Sequence, residues 1–476
     1  MAAGHLLTFG TSASDSRPWS GGSILSRPKL SGMNVVVVGL GSTGLATVEF
    51  LVDQGAHVVA SDVRKRADVP ESVLALSERG VTLELGGHGI KTFTGADLIV
   101  LSPGVAPDME PLVRARKKGV AITGEIELAS QFVSAPMVAV TGTNGKTTTT
   151  SLVGEILAAA GMKVFVGGNI GNPLIRFVHS GEYADAVVLE LSSFQLETAD
   201  TFHPKAAALL NVTPDHIDRY PDAAEYFRAK TRVFSRQTAD DFAVMNADDI
   251  VVDAKSVTAQ RLEFSRFRPV RDGAYLESDR IVMSSSGRTV GEMPITALSL
   301  IGTHNHENVM AAVCLARAMG VDSQTAFTAA ARFKGLPHRT EFVAEIDGVQ
   351  YYDDSKGTNV GAVIKSLESF DRPVILIAGG REKDTDFSPL AKHVYKRVKL
   401  LILLGEAKGK MAEALGGNAE TLLVSDMEQA VATSRRHANP GDVVLLSPAC
   451  ASFDMFRDYA HRGRVFSELV LRERSR

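Results

Sequence analysis

The segment VTGTNGKTT at 140–148 constrains this chain more than any other, because it sets glycines, a lysine and threonines between an apolar strand and an apolar helix. The run at 137–140 predicts the strand and 152–160 the helix. Gly142 and Gly145 let the backbone turn its amides toward an anion, with Thr143, Asn144 and Thr148 completing the loop. Lys146 supplies a cation for β/γ-phosphates, and the Thr147 hydroxyl is a magnesium donor. Val140 stands where the P-loop pattern has its first glycine, so the general pattern is incomplete. A plain Thr/Gly turn is the alternative, and Lys-Thr directly ahead of an apolar helix argues against it.

At 476 residues the chain exceeds what one core supports, and about three domains are expected. Fifty-one basic and fifty-five acidic residues leave a net charge of −4, which gives no footprint for nucleic acid or an anionic membrane and points to small-molecule partners. Cys314 and Cys450 are far apart in apolar surroundings, which fits core positions in a reducing compartment. No apolar run reaches the ~18 residues of a membrane span, and the opening residues lack a signal-peptide block. A cytoplasmic monomer is expected. Residues 1–30, rich in Gly and Ser, read as a flexible extension.

The pattern then repeats three times. From Met33, strand, glycine loop, helix and strand form a βαβ unit, with further strands at 96–101 and near 120–123, so 31–134 reads as a Rossmann-like domain. A central P-loop domain follows at 135–336, with strands at 186–191 and 206–210, a polar β excursion at 261–292 and a helix from about Asn308. GLPHR at 335–339 reads as a linker into a C-terminal Rossmann-like domain at 337–476, with strands at 349–352, 374–378, 400–404 and 443–446. Each strand ends in a polar loop. In a parallel sheet these loops share one edge, which predicts a site assembled between three α/β domains.

GLGSTG at 39–44 satisfies the dinucleotide fingerprint, and Asp62 ends the next strand, where a ribose-binding acid belongs. An NAD-dependent dehydrogenase is the rival reading, weakened by the separate triphosphate cradle; another nucleotide's pyrophosphate suits the same loop. Arg64 and 102–104 sit at neighbouring strand ends. Glu190 ends the strand VVLE, where a carboxylate reaches magnesium beside a P-loop. His216 is a further metal-ligand candidate against a structural turn residue. Taken alone, Lys230 reads as a solvated lysine. At the third domain's strand ends, Asp354, Lys356, Lys383, Ser452 and Tyr459 make a cationic edge suited to a carboxylate substrate.

The series GTNGKTT, GGNIGNP, LELSSFQLE, NVTPDHIDRYP, HNHEN, GLPHR, DDSKGTNVGA and SPACASFDMF, in this order from about Asn34 to Phe466, resembles the Mur ligase family of peptidoglycan synthesis, and in particular the branch that adds D-glutamate to UDP-N-acetylmuramoyl-L-alanine. The resemblance implies an ATP-dependent amide ligase working through an acyl phosphate. It assigns Ser42, Thr43, Arg64, Ser102, Pro103, Gly104, Asn169 and His216 to the UDP substrate. ATP falls to 142–148 with Asn305, Asn308, Arg339 and Asp354, and D-glutamate to Thr358, Lys383, Ser452 and Tyr459, the last commonly Phe in the family. It also implies two magnesium ions near Thr147, Glu190, His216 and a carbamylated Lys230, and a catalytic group of Lys146, Glu190, His216 and Lys230. The family's diaminopimelate- or lysine-adding branch carries a DNPR-type loop absent from this sequence. A nucleotide switch without bond formation would leave the cationic edge without a purpose.

Overall fold

The computed structural model describes residues 28–213, 219–220, 222–249, 257–382 and 384–474. Among the described residues no helix is long and apolar enough to cross a membrane. His216, Lys383 and nearly all of the N-terminal extension lie outside them.

Three sheets follow one another along the chain. The first contains β1 (Asn34–Val38), β2 (His57–Asp62), β3 (Thr82–Leu85), β4 (Leu98–Leu101) and β5 (Ala121–Gly124), all parallel, in the order β3-β2-β1-β4-β5. Its order reverses between β1 and β4, so the loops after those strands flank one crevice. These are the loops with GLGSTG and 102–104.

The second sheet has β6 (Met137–Thr141), β7 (Val164–Gly168), β8 (Ala186–Glu190), β9 (Ala206–Leu209), β10 (Phe242–Asn246), β11 (Gln260–Ser265), β12 (Gly273–Glu277), β13 (Arg280–Ser285) and β14 (Arg288–Pro294), in the order β14-β13-β12-β11-β10-β9-β6-β8-β7. The expected β excursion is the edge β11–β14, whose last two pairings are antiparallel. Strand β6 lies between β8 and β9 at the switch point, so the phosphate cradle leaves the sheet at its crevice. The helix at Lys146–Ala159 starts directly on the cradle, six residues earlier than hydrophobicity alone indicated, because threonines at 147–150 hide its apolar face. The helix at Thr303–Ala318 likewise begins five residues before Asn308.

The third sheet holds β15 (Glu341–Ile346), β16 (Val349–Asp353), β17 (Val374–Gly379), β18 (Val398–Leu404), β19 (Glu420–Leu423) and β20 (Val443–Leu446), ordered β15-β16-β20-β17-β18-β19. Only the β15–β16 pair is antiparallel. The loops after β16, β17 and β20 therefore converge.

The cores do not divide as the sheets do. One continuous apolar cluster joins Val35, Val48 and Leu51 of the first sheet region to Leu174, Val187 and Leu189 of the second. Leu30, at the edge of the expected extension, is 2% exposed and belongs to this cluster. The third sheet packs into two clusters of its own. Buried carboxylates reinforce the first junction. Glu127 accepts from the backbone amides of Thr201 at 2.9 Å and Phe202 at 3.0 Å, and Glu125 Oε1 accepts from Ile175 N at 2.7 Å. Burial pushes the Glu125 carboxyl up to about 7, against main-chain hydrogen bonds from Ile175 and Leu174 that lower it.

Candidate active site

Gly145 is the N-cap of the cradle helix at φ 86, and a Cβ there would lie 2.1 Å from Asn308 Oδ1. Glycine is required twice over, for the left-handed backbone and for the close approach of the helix at Thr303–Ala318. Asn211 braces the loop from β9: its Oδ1 accepts from Asn144 N at 2.9 Å and its Nδ2 donates to Asn144 O at 3.0 Å. Thr143 N donates to Asn211 O at 2.9 Å, and Thr143 Oγ1 donates to Thr213 O at 3.1 Å. Lys146 Nζ folds onto the loop it serves, donating to Gly142 O at 2.9 Å and Thr143 O at 2.8 Å.

Lys230 donates to that same Gly142 carbonyl, at 2.8 Å, and lies 4.6 Å from the centroid of the Tyr226 ring. It is 2% exposed, so the solvated-lysine reading is overturned. The helix at Ala223–Thr231 presents it inward across the cradle. Burying an ammonium is costly without compensation, and the Gly142 carbonyl and the Tyr226 ring are among the groups that compensate it.

Register pairs Val140 with Glu190, which puts that carboxylate beside the start of the cradle. Glu190 is 2% exposed. Its Oε1 accepts from Asn169 Nδ2 at 2.8 Å, and its Oε2 is buried without a hydrogen-bond partner among the described residues. An orphaned carboxylate oxygen near a threonine hydroxyl is a hard-oxygen donor set that fits magnesium. Asn169, assigned by resemblance to the UDP substrate, thus has its amide on the carboxylate. The Thr147 hydroxyl accepts from Arg339 at 2.7 Å, which brings the third domain onto the cradle. Burial lowers the Arg339 pKa, while the nearby charges of Glu190, Asp354 and Tyr459 raise it.

Between the central and third domains lies a cleft of about 350 Å³, within the range of small-ligand pockets. Gly145, Thr148, Asn305, Asn308, Arg339 and Asp354 from the sequence reading all line it. Asn308 Nδ2 donates to Asn305 Oδ1 at 3.0 Å, and Asn305 Nδ2 to Ile301 O at 2.7 Å, which fixes both amides. Asp248, Asp249, His304, Glu307 and Lys365 also line the cleft and were missed. HNHEN offered a signal for His304 and Glu307; the aspartates follow β10 and the lysine lies mid-helix, with no local motif. Burial first, then the cations Lys365, His306 and Arg266, push His304 down to about 4.

Asp354 closes the cleft. Ser366 Oγ and Ser447 Oγ donate to its Oδ2 at 2.6 and 2.7 Å, yet burial outweighs them and raises its pKa to about 6. Taking 3.8 for the unfolded chain, the stability gained from protonating the native form is fully present below 3.8 and is lost as pH rises through about 6. The difference is about 3 kcal/mol. Asp354→Asn is therefore expected to match the parent's stability near pH 4, exceed it at pH 8, and lose activity. Melting temperatures of both proteins across that range check this; equal values at pH 8 would contradict it.

In the first domain Asp62 is not free for a ribose. Its carboxylate accepts from Arg64 Nε at 2.9 Å, Arg64 NH2 at 2.7 Å and Leu40 N at 2.8 Å, and the arginine holds it down to about 2. Arg64 NH2 also donates to Leu40 O at 3.0 Å, so the pair braces the glycine loop. Ser102 Oγ donates to Gly39 O at 2.7 Å, joining the two loops at the switch point, while Ser42 and Gly104 stay exposed and Thr43 and Pro103 half-buried.

At the third domain's edge, Lys356 Nζ donates to the Tyr459 hydroxyl at 3.0 Å and sits 4.2 Å from its ring centroid. Ser452 is buried and Thr358 exposed. Arg462, 2% exposed, ties the two loops together, donating from NH2 to Ser355 O at 2.8 Å and from NH1 to Cys450 O at 3.1 Å.

This cradle, carboxylate and three-domain order match three family models in succession: Mur ligase MurD-like, N-terminal domain, over 33–124; Mur ligase middle domain, over 140–316; and Mur ligase, glutamate ligase domain, over 338–450. The chain belongs to the Mur ligase family. It is 49% identical over 444 residues to the UDP-N-acetylmuramoylalanine–D-glutamate ligase of Citrifermentans bemidjiense, covering 93% of this Mur ligase and 98% of the relative. The ligase of the same name from Koribacter versatilis is 46% identical over 441 residues, covering 92% and 97%. Among solved structures, the MurF ligase of Thermotoga maritima in complex with ADP shares the fold at TM-score 0.58 and 17% identity, covering 94% of this Mur ligase and 97% of that chain. UDP-N-acetylmuramate-alanine ligase MurC from the same organism does so at TM-score 0.58 and 20% identity, covering 93% and 99%.

Proposed function

We propose that this Mur ligase joins D-glutamate to UDP-N-acetylmuramoyl-L-alanine at the expense of ATP. The observation that carries the reading is the meeting of the cradle and Arg339 at a cleft between two domains, with the buried Glu190 in register beside the start of the cradle and a second nucleotide loop, GLGSTG, on the domain fused to them.

The first domain takes the UDP end through the amides of 39–44, Ser102, Pro103 and Arg64. ATP lies in the cleft, its phosphates on 142–148, its nucleoside toward Asn305 and Asn308, with Arg339 and Asp354 closing over it. The terminal carboxylate of the UDP-sugar attacks the γ-phosphorus and ADP leaves. Lys146 and Arg339 offset charge on the phosphoryl oxygens in flight, the largest contribution such sites make. Glu190 and Thr147 would hold magnesium, with His216 and a carbamylated Lys230 completing the donor set, and the ion would supply Lewis-acid neutralisation of the phosphates. The D-glutamate amine, oriented by Thr358, Lys383, Ser452 and Tyr459, then attacks the acyl carbon; phosphate leaves and the nitrogen sheds a proton. No protein nucleophile enters the scheme.

Phosphate release is expected to need both the UDP-sugar and D-glutamate. A panel of D- and L-amino acids tests this. Equal turnover with L-glutamate, L-lysine or diaminopimelate would place the chain in another branch of the family.

A further inference from the structure

Glu125 stands outside the chemistry just described, yet it is 3% exposed and its Oε2 has no hydrogen-bond partner among the described residues. It follows β5, on the first domain's side of the junction with the central domain. Its Oε1 holds Ile175 N, in the first turn of the helix at Leu174–Ser180. That helix is led in by the loop at 167–173, whose Gly168 N donates to Asn172 O at 3.0 Å and whose Asn169 N donates to Glu190 O at 2.8 Å. The same loop puts the Asn169 amide on Glu190 Oε1. Hydrogen bonds at the two ends of the backbone from 168 to 175 thus link the sugar-nucleotide domain to the carboxylate beside the cradle.

The junction has little slack. A Cβ on Gly124, the residue before Glu125, would lie 2.1 Å from Thr198 Oγ1. Glu125 also lines a pocket of about 20 Å³ bounded by Ser102 and Pro103 of the nucleotide loop and by Phe194 and Arg219 of the central domain. That is room for about one water, so the buried carboxylate borders a small gap that it shares with the proposed UDP-sugar loop.

We propose that Glu125 is a positioning residue for the ligation, setting the register of the 102–104 loop against the Asn169–Glu190 pair so that the sugar-nucleotide's carboxylate reaches the phosphate cradle. The inference rests on the ligase reading above. It acts through the Oε1 acceptor and asks nothing of the charge.

The consequence separates the two nucleotides. ATP is held by the central and third domains, and the sugar-nucleotide spans the first and central domains. Glu125→Ala and Glu125→Asp, which remove the acceptor or withdraw it by one methylene, are expected to raise KM for UDP-N-acetylmuramoyl-L-alanine about tenfold, the size of one lost buried hydrogen bond. KM for ATP should stay within about twofold. Glu125→Gln, which keeps an acceptor at Oε1, should restore sugar-nucleotide KM to near the parent value. The experiment measures both KM values on full-length proteins, with melting temperatures and calorimetric binding of the sugar-nucleotide alongside. Should the alanine variant not fold, the aspartate variant carries the comparison. An unchanged sugar-nucleotide KM in folded Glu125→Asp, equal rises in both KM values, or a glutamine variant as impaired as aspartate would each overturn the proposal. A parent protein that binds no UDP-sugar would refute the ligase reading and this inference with it; parent binding with unaltered variants refutes this inference alone.

Discussion

Lys146→Ala is expected to lower kcat by about a hundredfold or more while leaving the melting temperature close to the parent's. The ammonium rests on two carbonyls of its own loop, Gly142 and Thr143. Those contacts keep it in place at modest net stabilisation, of the order of 1 kcal/mol each. On the proposed reading the same charge sits against phosphate oxygens whose negative charge shifts as the phosphoryl group transfers, and loss of one such contact costs on the order of 3 kcal/mol in the barrier. Because the residue starts the helix at Lys146–Ala159 and alanine is a good helix former, the fold should hold. Steady-state phosphate release with circular dichroism checks both halves. Turnover within threefold of the parent would falsify the catalytic role of the cradle.

Lys230→Ala is expected to be at least as damaging, with one distinguishing feature: partial recovery in added acetate. Two ammonium groups, from Lys146 and Lys230, converge on the Gly142 carbonyl. A second cation there opposes magnesium, whereas reaction of the neutral amine with CO2 turns it into a carbamate, an oxygen donor that hard cations prefer. The alanine variant leaves space for a small carboxylate to take the carbamate's place. Mass measurement on the intact protein under CO2, together with the acetate titration, tests the reading. Near-parent activity of the alanine variant would end it.

Much of this site was legible because its signals are local. The cradle, the β8 carboxylate and the strand-end loops of the third domain each follow an apolar strand, and a parallel sheet places all such loops on one edge. Lys230 shows where locality fails. Its neighbours in sequence form an ordinary polar helix, and only the tertiary placement of that helix brings the ammonium onto the Gly142 carbonyl. Asp62 is the opposite case: the pattern put it where a ribose-binding acid belongs, and Arg64 two residues later closes on it instead. The helix starts at Lys146 and Thr303 were obscured by threonine, asparagine and histidine. These weaken apolar periodicity where the fold needs polar groups near a ligand.

The apolar cluster that runs from Val35 through Leu51 to Leu174 and Leu189 joins one face of the first sheet to the second, whereas the opposite faces of those two sheets and the whole third sheet rest on clusters of their own. Damage then travels unequally. A cavity opened at Val48, far in sequence from the cradle, weakens the cluster that supports the strand bearing Glu190; one of equal size at Leu376 loosens chiefly the module that brings Arg339. Tolerance to mutation in this chain follows the boundaries of shared cores, and a border drawn at residue 134 does not describe it.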